Sequence, residues 1–241
     1  KWQPLDVDVA TDGGPRRATR FYVNGSEQVV SVETSRGYRI QGTPSHRIKV
    51  VDPDGNWVWK RFAEIDAGDR VPLMLGSHVG DPLPVALPPL GELHWNVGPR
   101  TRVPETMTPE LAEFVGYFMG DGSLHAKGLR LAVTAGDRDV LDRLVQLGLE
   151  LFGLSAQLDE RDAGYVAVQF NSVPLTMWWR ACGFEKQRPS ADHAGKGWTP
   201  HVPDAILHTN DRDVYAAFVR GLFEADGTVS AGHPSFSTVS E

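Results

Sequence analysis

Cysteine is nearly missing from this chain. Cys182 is the single one in 241 residues, so neither an internal disulfide nor a multi-cysteine zinc site can form. Its place between Trp179 and Phe184 marks a core residue rather than a nucleophile. Long apolar runs are missing as well: none approaches the ~18 residues of a membrane span. The opening KWQPLD has no signal-peptide pattern, so the expected compartment is the cytoplasm, with no membrane partner. A basic excess is lacking too, with 24 Lys and Arg against 31 Asp and Glu, a net charge of −7. That argues against a simple nucleic-acid binder, unless the basic residues are focused on one surface.

What is present is a large apolar fraction, 41%, in a chain long enough for two domains, and an internal repeat. Leu111 to Gly122 reads LAEFVGYFMGDG and Phe218 to Gly227 reads FVRGLFEADG, so two apolar segments close on a small residue, Asp and Gly, with Asp121 and Asp226 standing 105 residues apart (226 minus 121). Thr108 suits a helix N-cap, Pro109 the first helical position, and Glu110 and Glu113 the positive end of the helix dipole. At the far end, Gly122 and Gly227 are expected to close the helices in the left-handed conformation. That leaves Asp121 and Asp226 at the negative end of the dipole, where a carboxylate is unfavourable. Small residues four apart, Gly116 with Gly120 and Gly221 with Ala225, give each helix a flat stripe. Packed stripe to stripe about a pseudo-two-fold axis, the helices would bring both acids to one end, adding like-charge repulsion. A hard divalent cation such as Mg²⁺, ligated by oxygen, is the natural compensation. One copy alone reads as a core helix with an Asp before its cap; two matched copies read as a site.

Carried by FVGYFMGDG and VRGLFEADG, the chain resembles the LAGLIDADG homing endonucleases. The resemblance implies that Asp121 and Asp226 are metal-binding catalytic carboxylates acting with Mg²⁺ on double-stranded DNA. It also implies a monomer with internal pseudo-two-fold symmetry when complete.

Leu5 to Val71 shows short alternating segments separated by turn signals, the mark of an all-β domain. Asn24-Gly25 is a two-residue hairpin signal, and Asp52-Pro53-Asp54-Gly55 is a turn. Gly42-Thr43-Pro44-Ser45-His46, followed by WKRFAEIDAGDRV, resembles the N-terminal half of an intein's Hint domain. A Thr-x-x-His turn can bring the Thr43 hydroxyl and the His46 imidazole to one peptide bond, with His46 protonating the departing nitrogen. By itself such a His is more often a loop residue. The splicing nucleophile at the first position and the closing His-Asn pair are not in the sequence, so the chain as written is not expected to splice. Beginning at Lys1 and stopping 14 residues after Gly227, it reads as a piece of something longer, whose exteins would be its host protein.

The expected organisation is a partial all-β Hint-like domain over 1–76, a Pro-rich linker over 77–105, and an α+β endonuclease domain over 106–241, whose second repeat starts near 210. Within the last, a hairpin turned at Ala126-Lys127-Gly128, a helix near Asp139 to Phe152, strands over Ser155 to Asp159 and Tyr165 to Phe170, and a helix near Val173 to Cys182 give the order αββαββα. The resemblance implies a strand saddle on DNA, with Lys127, Arg130 and Arg138 as candidate contacts, though each could equally be a solvated surface charge. The resemblance also implies an active-site lysine shortly before Pro203. Lys196, in Ala-Gly-Lys-Gly, ranks first, with Lys186 and His201 as alternatives. Two other readings stay open: a derived DNA-binding protein without cleavage, and a Hint autoprocessing domain carrying a passenger.

Overall fold

The computed structural model describes residues 1–74, 80–91, 101–161, 164–187 and 198–237, in two compact units, Lys1–Gly80 and Asp81–Glu241. In the first unit, strands β1 (Trp2–Val9) and β2 (Arg16–Tyr22), β3 (Val30–Glu33) and β4 (Arg39–Gly42), and β5 (Arg47–Val51) and β6 (Trp57–Arg61) form three two-stranded antiparallel sheets. A 3-10 turn over Phe62–Glu64 follows, and no α-helix occurs among the described residues of this unit. The Asp52 to Gly55 turn forms as its residues suggest, with the Asp52 carboxylate accepting from Asn56 N at 2.8 Å. Asn24-Gly25 does not make the expected hairpin. β2 gives its pairing edge to β1 (Trp2 opposite Tyr22) and β3 pairs with β4, so residues 23–29 connect different sheets.

Val50 and Phe62 are the only buried apolar residues among the described part of this unit, while Trp2, Trp57 and Trp59 stay more than half exposed. Two-stranded sheets are marginal in water without a packed face, so this unit has little of a core of its own.

The second unit is built differently. Helix α1 (Pro109–Asp121) leads into β7 (Gly122–His125) and β8 (Gly128–Thr134), then α2 (Arg138–Phe152), β9 (Gln157–Arg161), β10 (Tyr165–Asn171) and α3 (Val173–Ala181). The order is αββαββα, and the four strands form one antiparallel sheet in the order β7-β8-β10-β9. A short helix α4 (Asp204–Leu207), α5 (Arg212–Asp226) and a hairpin of β11 (Gly227–Ser230) with β12 (His233–Phe236) follow, repeating the α1-β7-β8 start.

Strand alternation gives the sheet one dry face. Leu129, Leu131 and Val133 of β8 lie in register with Phe170, Val168 and Val166 of β10, and all six are buried. Fully burying each such side chain contributes about 1.5–3 kcal/mol. Over this face Phe114 of α1 meets the edges of Phe152, Phe170 and Trp179 at 5.3 to 5.9 Å between ring centres. Part of the stretch expected as linker belongs to this unit: Leu87 joins its core, and Trp178 Nε1 donates to Pro88 O at 2.7 Å. The division between units falls at Gly80, and the Pro-rich segment after it, which cannot continue a helix, still buries Leu87.

Candidate active site

Each motif helix starts as its sequence suggests. The Thr108 hydroxyl accepts from Leu111 N at 3.2 Å with Pro109 in the first turn, and the Asp211 carboxylate accepts from Asp213 N at 2.8 Å. The ends differ from expectation. Gly122 (φ −90°, ψ 154°) and Gly227 (φ −79°, ψ 162°) are extended, not left-handed. Each helix therefore turns straight into a strand, and glycine is needed there for space: a Cβ on Gly122 or Gly227 would overlap the backbone of Phe118 or Phe223, four residues back. The acids are thus the last helical residues, held at a sharp helix-to-strand junction.

The two helices pack on their glycines with reciprocal contacts. A Cβ on Gly116 would overlap Phe218 O, and one on Gly221 would overlap Glu113 O; the next nearest atoms are Leu222 N and Tyr117 N, again 105 residues apart. Reciprocity of this kind is what a two-fold axis produces. It carries both acids to one end, where Asp226 Oδ2 would lie 3.0 Å from a Cβ built on Gly120.

Asp121 is consequently held above the usual carboxylate range, first by burial and then by the charge of Asp226, with Lys186 opposing. The Lys186 ammonium donates to Gly120 O, and burial lowers its pKa while Asp226 and Asp121 work to raise it. The phenol of Tyr117, one turn before Asp121, is buried, donates to Ala132 O at 2.9 Å, and is raised by burial and by the surrounding carboxylates. Two carboxylates and one half-buried ammonium thus share the end of the helix pair.

Of the basic residues weighed for this place, the structure brings Lys186 to the pair. Lys196 lies outside the described residues. His201 stands elsewhere, with Nε2 donating to Gly183 O at 3.2 Å and Nδ1 buried without a partner. Lys186 follows α3 and Phe184, which seals the core, so the chain returns toward the motif ends within two residues; nothing in the local pattern marks that return. Beside it, a cavity of about 370 Å³ is lined by Ser123, Arg180, Glu185, Lys186 and Trp198.

No group of three His, Cys, Asp or Glu capable of holding a metal occurs among the described residues. The donors at the helix ends are hard oxygens from two carboxylates that repel one another, which suits a hard divalent cation completing its shell from carbonyl, water or phosphate oxygen. Asp121 and Asp226 are the residues that would hold it.

The outward face of the sheet is polar. Ser123, Arg130, Gln169 and Gln157 line up in one row across all four strands. Arg130 donates to Gln169 Oε1 at 3.5 Å and Asn171 to Gln157 Oε1 at 2.6 Å, while His125 Nε2 and Ser123 Oγ are 3.0 Å apart. Lys127 is exposed in the β7–β8 turn. Arg138 is also exposed but opens α2 beyond the other end of β8, away from that row. Gln157, Gln169 and Asn171 escaped sequence reading because amides carry no charge signal; strand alternation would have put them on the face of Arg130.

In the first unit, Thr43 to His46 forms the turn: His46 N donates to Thr43 O at 2.9 Å, Phe62 N to His46 O at 2.8 Å, and the His46 ring stands edge-on to Phe62 at 5.1 Å. Thr43 Oγ1 lies 3.4 Å from Ser45 Oγ. Cys182 is half-buried with its thiol pushed up to about 12 by burial, as suits an unreactive position. No helix among the described residues is long and apolar enough to cross a membrane.

Residues 213–241, which hold α5 and the hairpin after it, match the family described as LAGLIDADG-like domain. The chain is 28% identical over 221 residues to a subunit of the A-type ATP synthase of Pyrococcus horikoshii, covering 89% of this chain and 21% of that protein. It is 28% identical over 130 residues to glutamine–fructose-6-phosphate aminotransferase of Methanocaldococcus jannaschii, covering 54% of this chain and 11% of that one. It is 26% identical over 235 residues to a DNA gyrase protein of Mycobacterium kansasii, covering 90% and 35%. The chain therefore spans about a fifth of the ATP synthase protein, a ninth of the aminotransferase and a third of the gyrase protein, and its second motif falls within the stretch that matches the LAGLIDADG-like family.

Proposed function

We propose that the second unit is the major part of a site-specific DNA endonuclease of the LAGLIDADG type, which hydrolyses phosphodiester bonds in double-stranded DNA with Mg²⁺. The observation that carries this is the convergence of Asp121, Asp226 and Lys186 at one end of a reciprocal, glycine-packed helix pair. Two like charges at dipole-negative helix ends, and the burial of an ammonium beside them, are costly for folding, and an arrangement that costs stability is expected where chemistry needs it. Bound there, Mg²⁺ would supply Lewis acidity toward a phosphoryl oxygen and a lowered pKa for a water.

The chain's own residues do the rest. Asp121 and Asp226 would each help hold the cation that activates the attacking water and stabilises the leaving oxygen as its bond to phosphorus breaks, each acid serving one strand. The Lys186 ammonium lies where negative charge would grow on the phosphate and stabilises it. The polar row headed by Arg130 on the sheet, with Lys127 in the adjoining turn, is the surface that meets base edges and phosphates. Arg138 is assigned to phosphate rather than base contact because it lies beyond that row.

The first unit is proposed as part of a Hint-like splicing domain, with Thr43 and His46 at the scissile peptide and the host segments as exteins. Support comes from the relatives' names: an ATP synthase protein, an aminotransferase and a gyrase protein share no activity, yet each contains a stretch similar to this chain. A segment common to unrelated proteins is what a self-excising insert would leave. The test is cleavage of DNA by the longer parent protein in Mg²⁺, with Asp121→Asn and Asp226→Asn each expected to reduce it to background. Cleavage surviving in either variant would refute the role given to that acid.

A further inference from the structure

Glu113 stands two turns before Asp121 on α1 and does more than complement the helix dipole. Its carboxylate takes Arg143 of α2 as a fork, Nε to Oε1 at 3.0 Å and a terminal guanidinium nitrogen to Oε2 at 2.9 Å, and Arg220 of α5 to Oε2 at 2.8 Å. The Glu113 side chain is only 13% exposed, against 39% and 57% for the two arginines. Burial would raise its pKa, but hydrogen bonds and charge from Arg143 and Arg220 outweigh that and hold it below the usual range. One carboxylate therefore ties three helices together. The symmetry does not require it, because the equivalent position on α5 is Phe218, a buried core residue.

What the clamp adds follows from the contact it spans. Glycine against backbone lets α1 and α5 approach closely, but a smooth stripe carries few interdigitating side chains to resist sliding along the axis. A slip of one residue moves one helix end past the other by about 1.5 Å, whereas a shared ligand site must hold its donors within about 0.5 Å. The planar guanidinium fork fixes direction as well as distance.

We propose that Glu113 is a positioning residue: with Arg220 and Arg143 it locks α1 against α5 in the register that brings Asp121 and Asp226 to a single cation. This rests on the reading of the two acids as a shared cation site. The clamp belongs to one half of the pseudo-symmetric pair only, and through it cation affinity depends on a side chain two helical turns from the donors.

The test is Tb³⁺ luminescence titration of the 241-residue chain, with Mg²⁺ competing for the bound Tb³⁺, on wild type, Asp121→Asn, Glu113→Gln, Arg220→Met and the Glu113→Gln/Arg220→Met double variant. Asp121→Asn is expected to abolish the Mg²⁺-displaceable signal. Glu113→Gln and Arg220→Met are each expected to weaken Tb³⁺ binding roughly tenfold, as loss of a residue supporting a metal site typically does, and the double variant little more than either. Arg220 is on the α5 surface, so Arg220→Met keeps the test available should Glu113→Gln unfold the helix pair. Loss of the signal in Asp121→Asn with affinities within twofold of wild type in Glu113→Gln and Arg220→Met would overturn the clamp alone. An unchanged signal in Asp121→Asn would overturn the shared cation site and the clamp with it.

Discussion

Replacing Asp121 by Asn should move stability and function in opposite directions, and the structure gives the sign. The Asp121 carboxylate is disfavoured by burial, by Asp226 and by its place at the negative end of α1, and Lys186 recovers only part of this, so its pKa stays raised on balance. A carboxyl group raised in the folded state costs stability when ionised. That cost is present at neutral pH and is relieved as pH falls through the folded pKa toward the unfolded value of about 3.9. Asparagine keeps the shape without the charge. The metal-free variant should be more stable at neutral pH by about 0.5 to 1 kcal/mol, the size of a helix-dipole effect at a partly exposed end. For a domain of this size that is about 1 to 4 °C in Tm. The assay is thermal or urea unfolding in EDTA across pH, followed by helix signal. Wild type should gain on acidification relative to the variant until both are equal near the unfolded pKa, and Mg²⁺ should raise the wild-type Tm more than the variant's. A destabilised Asp121→Asn protein in EDTA, or a gap that does not close on acidification, would show that Asp121 is a structural cap and that the repulsion argument is wrong.

Glu113 should behave oppositely to Asp121: its folded pKa is depressed, so its contribution is full above the unfolded pKa and lost as pH falls through the folded one. The urea midpoints of wild type and Glu113→Gln should therefore converge on acidification, and a constant gap would count against the clamp. Lys186→Met removes the ammonium beside both acids, so DNA cleavage by the parent should fall while cation affinity, read by Tb³⁺ titration, rises; a fall in affinity would mean that Lys186 is not the compensating charge. Gly116→Ala should destabilise by about 2 kcal/mol or more, because its Cβ has nowhere to go against Phe218 O, whereas Gly136→Ala, with open space around it, should be near neutral; equal urea midpoints would refute the close approach. Hydrogen exchange should label β1 to β6 well before β8, β10 and α1, since Val50 and Phe62 are the only buried apolar side chains described in the first unit.

The helix pair was legible in the sequence because its signals are local and doubled. A cap, small residues four apart and a closing Asp-Gly each constrain a few adjacent residues, and the second copy repeats them. What was misjudged is where a local signal had two physical meanings. A glycine after a helix can serve a left-handed φ or a close approach, and at Gly122 and Gly227 it is the second, which places the acids at a junction into a strand. Asn24-Gly25 favours a tight turn, yet whether it joins paired strands depends on β1 taking the edge of β2, a contact set about twenty residues away.

The remaining gap is between charge and place. Lys186 and Lys196 carry the same charge in similarly irregular sequence, and only the tertiary course after α3, where Phe184 is drawn into the core, delivers Lys186 to Gly120. Glu113 illustrates the same limit in reverse: its place near the start of α1 already suggests a reason for an acid there, and no local pattern points further. Its partners Arg143 and Arg220 lie 30 and 107 residues away. A residue whose local role is sufficient conceals a tertiary one, and the two are separable only by a measurement that local helix stability leaves unmoved. Cation affinity at Asp121 and Asp226 is such a measurement, because a dipole effect at the start of α1 ends within its first turn and cannot reach the acids at its close.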